Sequence, residues 1–348
     1  MNIIRSAQNP VIRVEDVAPS RPDFKVLGAF NAGVAQLGDE TILLLRVAEA
    51  PVTDNADEVL VPRLNDAGTS VLIERYDKAD SRYDFSDSRF ISQYGRTIML
   101  TSLSHLRVAR SKDGIRFEVE PQPALFPEHA LEAWGIEDPR VTQIGDVYYI
   151  TYSAASAHGV GVGLVETRDF RAFKRRGMML APENKDVMLF PEKINGKYYA
   201  LHRPVPKAFG APEMWIAESP DLDHWGNHRF LMGLSAQGWD SARMGGGAVP
   251  IRTEHGWLAL YHGADANHRY CMGAALLDLE DPGKVIARSR IPVLEPEAAY
   301  EVNGFFGKVV FSCGALLLDG TVRMYYGAAD EVMAVADIPL ETIFNTFS

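Results

Sequence analysis

The chain repeats itself, and the repeat limits the possible folds more than any other feature. Tyr148-Tyr149-Ile150-Thr151-Tyr152 is followed by the strand-like run 160–166 and then by Asp169-Phe170. The same order returns at 197–202, 214–218 and 221–225, and again at 257–262, 271–277 and 278–282. Val322-Arg323-Met324-Tyr325-Tyr326-Gly327 with 332–336 forms a further copy. An earlier copy is split between 41–47 and 106–114, which makes five. Each copy is two or three short strands rich in aromatic and β-branched residues, bounded by Asp/Gly turns. The interval of roughly 50–65 residues lies near the ~40–50 of four-stranded propeller blades. Such strands need a second sheet to cover their apolar faces, and radial packing of blades supplies one while leaving a central channel. The pattern predicts an all-β fold, a five-bladed β-propeller, with a pair of β-sandwiches as the alternative.

No Pro/Gly/Ser-rich linker divides the sequence, so a single domain over 1–348 is expected. Between the halves of the split copy lies extra sequence, about residues 50–95, long enough to form a hairpin extension over one face of the channel. Helical periodicity is confined to 338–347, read as a terminal cap.

The formal net charge of −11 argues against nucleic acid and membrane partners, since an acidic surface repels phosphate backbones and anionic lipid. Any anion site must then be made locally, by cations converging in a cleft. Cys271 and Cys313 sit in apolar runs and read as buried free thiols. The N-terminus lacks an apolar leader and no run reaches the ~20 residues of a spanning helix, so a cytoplasmic protein is expected. His255, His262 and His268 are loosely spaced without a cysteine, so no metal is expected, and Gly159-Val160-Gly161-Val162-Gly163 reads as a strand rather than a dinucleotide loop. The sequence leaves a homo-oligomer open.

Polar residues embedded in apolar runs carry the chemical signal. They are Asn31, Arg46, His105, Arg107, Asp138, Lys185, Arg203, Arg243, His262 and Asp330, most of them at the end of an inner strand of a copy. In a propeller those positions face one central cavity. The set holds several cations, Arg46, Lys185, Arg203, Arg243 and His262, and few carboxylates, Asp138, Asp330 and Glu137. An inverting hydrolase needs an acid and a second carboxylate to activate water. A phosphorolytic enzyme replaces base and water with inorganic phosphate, and needs one acid and a cluster of donors. The cation-rich set suits the second scheme.

The motifs together resemble glycoside hydrolase family 130, the β-mannoside phosphorylases and related mannosidases. Phe30-Asn31-Ala32-Gly33, Leu43-Leu44-Leu45-Arg46-Val47, Ser104-His105-Leu106-Arg107 and Trp134-Gly135-Ile136-Glu137-Asp138-Pro139-Arg140 match in order. So do Leu201-His202-Arg203-Pro204, Tyr261-His262-Gly263 and Tyr325-Tyr326-Gly327-Ala328-Ala329-Asp330. The resemblance spans about nine-tenths of the chain. It implies a five-bladed propeller in which Asp138 is the proton donor, acting through the mannosyl 3-hydroxyl. It implies that Lys185, Arg203, Arg243 and His262 hold phosphate. Asn31, Arg46 and Asp330 would hold the mannose, with His105 and Arg107 counted among the substrate-binding residues. Inorganic phosphate would be the co-substrate, with no other cofactor, and a mannooligosaccharide the partner. The extension resembles the branch acting on β-1,2-linked mannooligosaccharides.

Two stretches depart from the family pattern. Lys308 and Ser312 stand where Asn and Pro are common, and 246–250 lacks consecutive prolines. Both bear on the acceptor side. A β-1,4-mannoside phosphorylase, a hydrolase using Glu137 or Glu192, and a sugar-binding propeller without turnover remain as alternative expectations.

Overall fold

A computed structural model of the protein describes residues 2–347. Nearly all of the regular structure is antiparallel β. The first meander holds Phe24–Leu37, Glu40–Pro51, Leu103–Ser111 and the short Glu118–Val119. The second runs Gly135–Ile144, Val147–Ser156, Gly159–Thr167 and Phe173–Leu180. These two meet in one sheet through a single parallel pair, Gly135 with Ser104. Asn184–Leu189, Tyr198–Pro204, Met214–Ser219 and Gly226–Met232 form a separate sheet. Another contains Arg243–Gly246, Gly256–Ala264, Tyr270–Leu277 and Val285–Arg288, with Ile251–Thr253 beside Gly256–Ala264. In the last, Val310–Leu318, Thr321–Ala328 and Val332–Pro339 are joined by the N-terminal Ile4–Arg5, which pairs with Val332–Pro339.

The buried apolar residues form clusters that each span two neighbouring meanders. Leu44, Leu106, Ile150 and Tyr152 join the first to the second, and Leu164, Val187 and Ala200 join the second to the third. Met188, Leu201, Trp257 and Tyr261 continue the series, followed by Leu260, Met272, Met324 and Tyr326. Phe30, Val47, Tyr325 and Met333 then bring the last meander against the first. Inner strands such as Gly256–Ala264 are buried on both faces, whereas outer strands such as Gly226–Met232 keep much of their length exposed. Gly163 shows how tight the packing is: a Cβ there would lie 2.1 Å from the Tyr152 ring. Cys271 and Cys313 are free and buried, as the sequence indicated.

The extension differs in detail from the expectation of one hairpin ending near residue 95. It holds two hairpins, Glu58–Leu64 with Val71–Asp77 and Phe90–Gln93 with Arg96–Leu100. Gly95 is not its boundary. Tyr94 and Gly95 both take positive φ, 52° and 71°, and make a two-residue turn at the tip of the second hairpin. At the C-terminus Ile338 and Pro339 still belong to a strand, and the helix is Leu340–Phe344 followed by a 3-10 turn, Asn345–Phe347. Ile338 pairs with Val322, and that ladder overrides the helical period.

Candidate active site

Asn31, Asp138 and Asp186 share a local design. Each lies at a β-bulge, between Phe30 and Gly33, Glu137 and Arg140, and Lys185 and Met188 respectively. Each has left-handed φ, 48°, 49° and 58°. Asp330, in the turn before Val332–Pro339, has φ 52°. Asn and Asp tolerate this conformation better than other side-chain-bearing residues. A bulge re-aims its side chain out of the ladder, and here the four side chains are aimed into one cavity of about 300 Å³. That volume is at the lower end for small-molecule sites.

On one wall Arg46 is the organiser. Its Nη1 donates to Asp138 Oδ1 at 3.0 Å, its Nη2 to Glu137 Oε1 at 2.8 Å and its Nε to Ser104 Oγ at 3.1 Å. The guanidinium lies over the Phe30 ring, 4.8 Å from its centroid. Asn31 Nδ2 donates to the same Asp138 oxygen at 3.0 Å.

Across the cavity Asp186 is the hub. It is 1% exposed and accepts from Arg203 Nε at 2.9 Å, with Arg203 Nη2 at 2.7 Å. Its Oδ1 accepts from Arg140 Nη2 at 3.2 Å, and His262 Nε2 stands 3.6 Å from Oδ2, the oxygen that Arg203 engages. Arg140, buried and outside the cavity lining, ties the two groups together, donating to the Asp138 carbonyl at 2.8 Å and the Gly246 carbonyl at 2.7 Å. Gly245 is required at this point, because a Cβ there would lie 2.6 Å from both Asp186 Oδ2 and the His262 ring. Lys185 and Arg243 complete this side, and Arg243 Nη1 donates to Tyr270 Oη at 2.7 Å.

The electrostatics separate the carboxylates. Burial opposes the charge on Asp138, but Arg46, Lys185, Arg140 and the Asn31 bond outweigh it and hold the carboxyl below its ordinary value. Asp186 is held far below, since Arg203 and Arg140 overcome its burial. Asp330 goes the other way: burial, with Asp138 and Glu137 nearby, pushes it up to about 6 despite Arg46 and Arg89. Burial lowers His262 to about 3, against the pull of Asp186. His262 was counted among the cations on sequence grounds. It is a neutral imidazole at physiological pH, a dipolar hydrogen-bonding group whose buried Nδ1 has no partner among the described residues.

The cavity thus gathers Asn31, Arg46, Asp138, Lys185, Arg203, Arg243, His262 and Asp330. His105 and Arg107 are not brought to it. Register explains why: Arg46 pairs with Leu106, whereas His105 and Arg107 pair with Val47 and Leu45 and so lie on the opposite face of the sheet. There they are fully buried against Glu49, at 3.2 and 3.7 Å, and Arg107 donates to the Ala18 carbonyl. Glu192 also lies outside the cavity, in an exposed ion pair with Arg252.

Two lining residues, Asp186 and Arg89, are given no role by the sequence, and a third feature lies in a stretch expected there to bear on the acceptor side. Asp186 was masked by its neighbour Lys185, although an Asp inside an apolar strand was itself a signal. Arg89 enters from the extension, its guanidinium 4.0 Å above the Phe306 ring and bonded to Asp87. Phe305 and Phe306 belong to the stretch that departs from the family pattern, and it adjoins the cavity; Lys308 there takes φ 61°, a conformation an Asn adopts more easily.

The all-β scaffold gathers carboxylates and cations in one small polar cavity, and the class of enzyme follows from its relatives. The family model for glycoside hydrolase family 130, described as beta-1,4-mannooligosaccharide phosphorylase, matches residues 85–348. The chain is 51% identical to the beta-1,2-mannobiose phosphorylase of Listeria innocua over 348 residues, 99% of this chain and 98% of that one. It is 42% identical over 255 residues to the 1,2-beta-oligomannan phosphorylase of Thermoanaerobacter sp., covering 72% and 82% of the two chains. The solved structure of the Listeria innocua beta-1,2-mannobiose phosphorylase in complex with beta-1,2-mannobiose superposes with a TM-score of 0.98 at 50% identity, covering 100% and 99%. The chain belongs to glycoside hydrolase family 130.

Proposed function

We propose that this protein is an inverting phosphorylase of β-1,2-mannobiose and short β-1,2-mannooligosaccharides. The observation that carries the reading is one cavity with Asp138, restrained by Asn31 and Arg46, on one wall and Lys185, Arg203, Arg243 and His262 on the other. Phosphate held by the second group attacks the anomeric carbon, and the bond from that carbon to the leaving sugar oxygen breaks. Asp138 gives its proton to the mannosyl 3-hydroxyl, which passes its own proton to the leaving oxygen. The products are α-mannose 1-phosphate and a sugar shortened by one unit. Asn31, Arg46 and Asp330 hold the mannose.

Asp138 must gain a proton before it can act, and its surroundings favour the carboxylate. Phosphate settling beside Lys185 and Arg203 offsets part of the cationic field, which raises the affinity of Asp138 for a proton as the nucleophile arrives. Glu137 Oε1 is engaged by Arg46 Nη2 at 2.8 Å, so this oxygen is occupied rather than free to orient a water. That favours phosphorolysis over hydrolysis. The β-1,2 linkage rests on the names of the Listeria innocua and Thermoanaerobacter relatives, against the β-1,4 description of the family model.

For the architecture we propose a five-bladed propeller in one domain, each meander being a blade. The clusters that return from the last meander to the first, and the pairing of Ile4–Arg5 with Val332–Pro339, support ring closure. No helix among the described residues is long and apolar enough to cross a membrane. Two free buried thiols fit a reducing, cytoplasmic setting.

The reading is tested by incubating the protein with β-1,2-mannobiose with and without inorganic phosphate. Mannose 1-phosphate should form only with phosphate. Phosphate-independent release of mannose would make the protein a hydrolase, and no turnover in either condition would make it a binder.

A further inference from the structure

The cations that line the cavity are not equivalent. Arg46 is compensated by Glu137 and Asp138, Arg203 by Asp186 and Arg89 by Asp87. Lys185 and Arg243 form no ion pair among the described residues, and of the two side chains only that of Arg243 is held by a hydrogen bond, to the phenol oxygen of Tyr270 at 2.7 Å, its guanidinium 5.7 Å from that ring's centroid. Register sets this contact. Ala264 pairs with Arg243 on one side and with Tyr270 on the other, so the three residues lie in one row across the sheet with their side chains on one face. The Tyr270 ring is itself fixed, packed with Val309, Phe311 and Cys313 and 6.0 Å from the His262 ring.

A guanidinium oriented by a carboxylate has much of its charge cancelled before an anion arrives. One oriented by a neutral phenol keeps it, while still losing its rotational freedom in advance. We propose that Tyr270 is a positioning residue for the phosphate co-substrate, fixing Arg243 in the cavity without neutralising it. Arg203, by contrast, supplies direction more than net charge, since Asp186 already balances it. The inference rests on the phosphorylase reading above and adds to it a residue that acts on phosphate through another side chain.

The test is a double-mutant cycle of Tyr270→Phe and Arg243→Ala, read first by calorimetric binding of inorganic phosphate to the full-length protein without sugar. Phenylalanine keeps the packed ring and removes one hydrogen bond, so phosphate binding should weaken about three- to tenfold. The KM for β-1,2-mannobiose at saturating phosphate should stay within about twofold. In the Arg243→Ala background, Tyr270→Phe should cost nothing further. An unchanged phosphate affinity in Tyr270→Phe, or an equal loss toward the sugar, overturns the proposal. Additive losses in the double variant overturn it too, since Tyr270 would then act on the anion directly. Wild-type protein that binds phosphate but turns over no β-mannoside would sink the proposed reaction and leave the binding cycle readable. Wild-type protein that binds no phosphate would refute both.

Discussion

Asp186→Asn probes the cation-rich side of the cavity, the proposed phosphate site, without changing its shape. In the native site the two Asp186 oxygens receive Arg203 twice and Arg140 once, and His262 stands within 3.6 Å, with almost no solvent access. Asn is isosteric, yet it removes the charge and turns an NH₂ group toward arginine donors. Breaking a buried ion pair from one side costs about 3–5 kcal/mol. With an unfolding entropy of about 2.1 cal/mol/K per residue over 348 residues, that lowers Tm by roughly 4–7 °C. The pH dependence has a definite sign. The folded carboxyl is held well below its unfolded value, so its contribution is fully present above pH ~4 and is lost only in stronger acid. The gap between wild-type and variant should therefore be constant from pH 8 to 5. Inorganic phosphate should restore more of Tm in the variant than in the wild type, because it returns negative charge to the same guanidinium groups. Thermal melts followed by circular dichroism, with and without phosphate, read all three effects. A variant that melts within about 1 °C of wild type, with no extra response to phosphate, would refute the view of Asp186 as the hub.

Asp138→Asn should lose at least ~10²–10⁴ in kcat with an unchanged far-ultraviolet spectrum, and near-normal activity would place the acid elsewhere. Asp330→Asn should raise Tm at pH 8, because a half-buried carboxyl with its pKa raised to about 6 is destabilising once ionised. That gain should shrink as pH falls through 6 toward 4, and a gain independent of pH would contradict the assignment. Glu137→Gln should retain an absolute requirement for phosphate while kcat falls about ten- to a hundredfold through loosening of Arg46; persistent activity is expected, and faster hydrolysis in the wild type than in the variant would make Glu137 a base. His105→Ala should cost about 2–3 kcal/mol of stability, seen in urea titration, yet leave the KM for sugar and phosphate unchanged, since its ring packs against Phe126 and Glu49 rather than in the cavity.

Much of this architecture was legible because strand pairs with Asp/Gly turns repeat through the chain, as at Tyr148–Tyr152 against Gly163 and at Tyr261 against Gly273. The lining of the candidate cavity was legible where a polar side chain interrupted an apolar run at a bulge, as Asn31 and Asp138 do. The same signal misled at His105 and Arg107. Polarity inside an apolar strand shows that a residue is special, but only register shows which face it serves, and one step along Leu103–Ser111 separates the Arg46 face from theirs. Asp186 and Tyr270 act through partners 17 and 27 residues away on other strands. Arg89 reaches the cavity from an insertion whose path is set by its own two hairpins. None of those pairings leaves a local mark in the sequence. Burial was equally invisible there, and it is burial that makes His262 neutral and lifts Asp330.

The most direct test of the central claim is nuclear magnetic resonance of the first product formed from β-1,2-mannobiose and phosphate. The account predicts a phosphorus signal from α-mannose 1-phosphate, growing in step with free mannose and absent without phosphate or in Asp138→Asn. A first product that is the β-anomer, or mannose released at the same rate without phosphate, would contradict it.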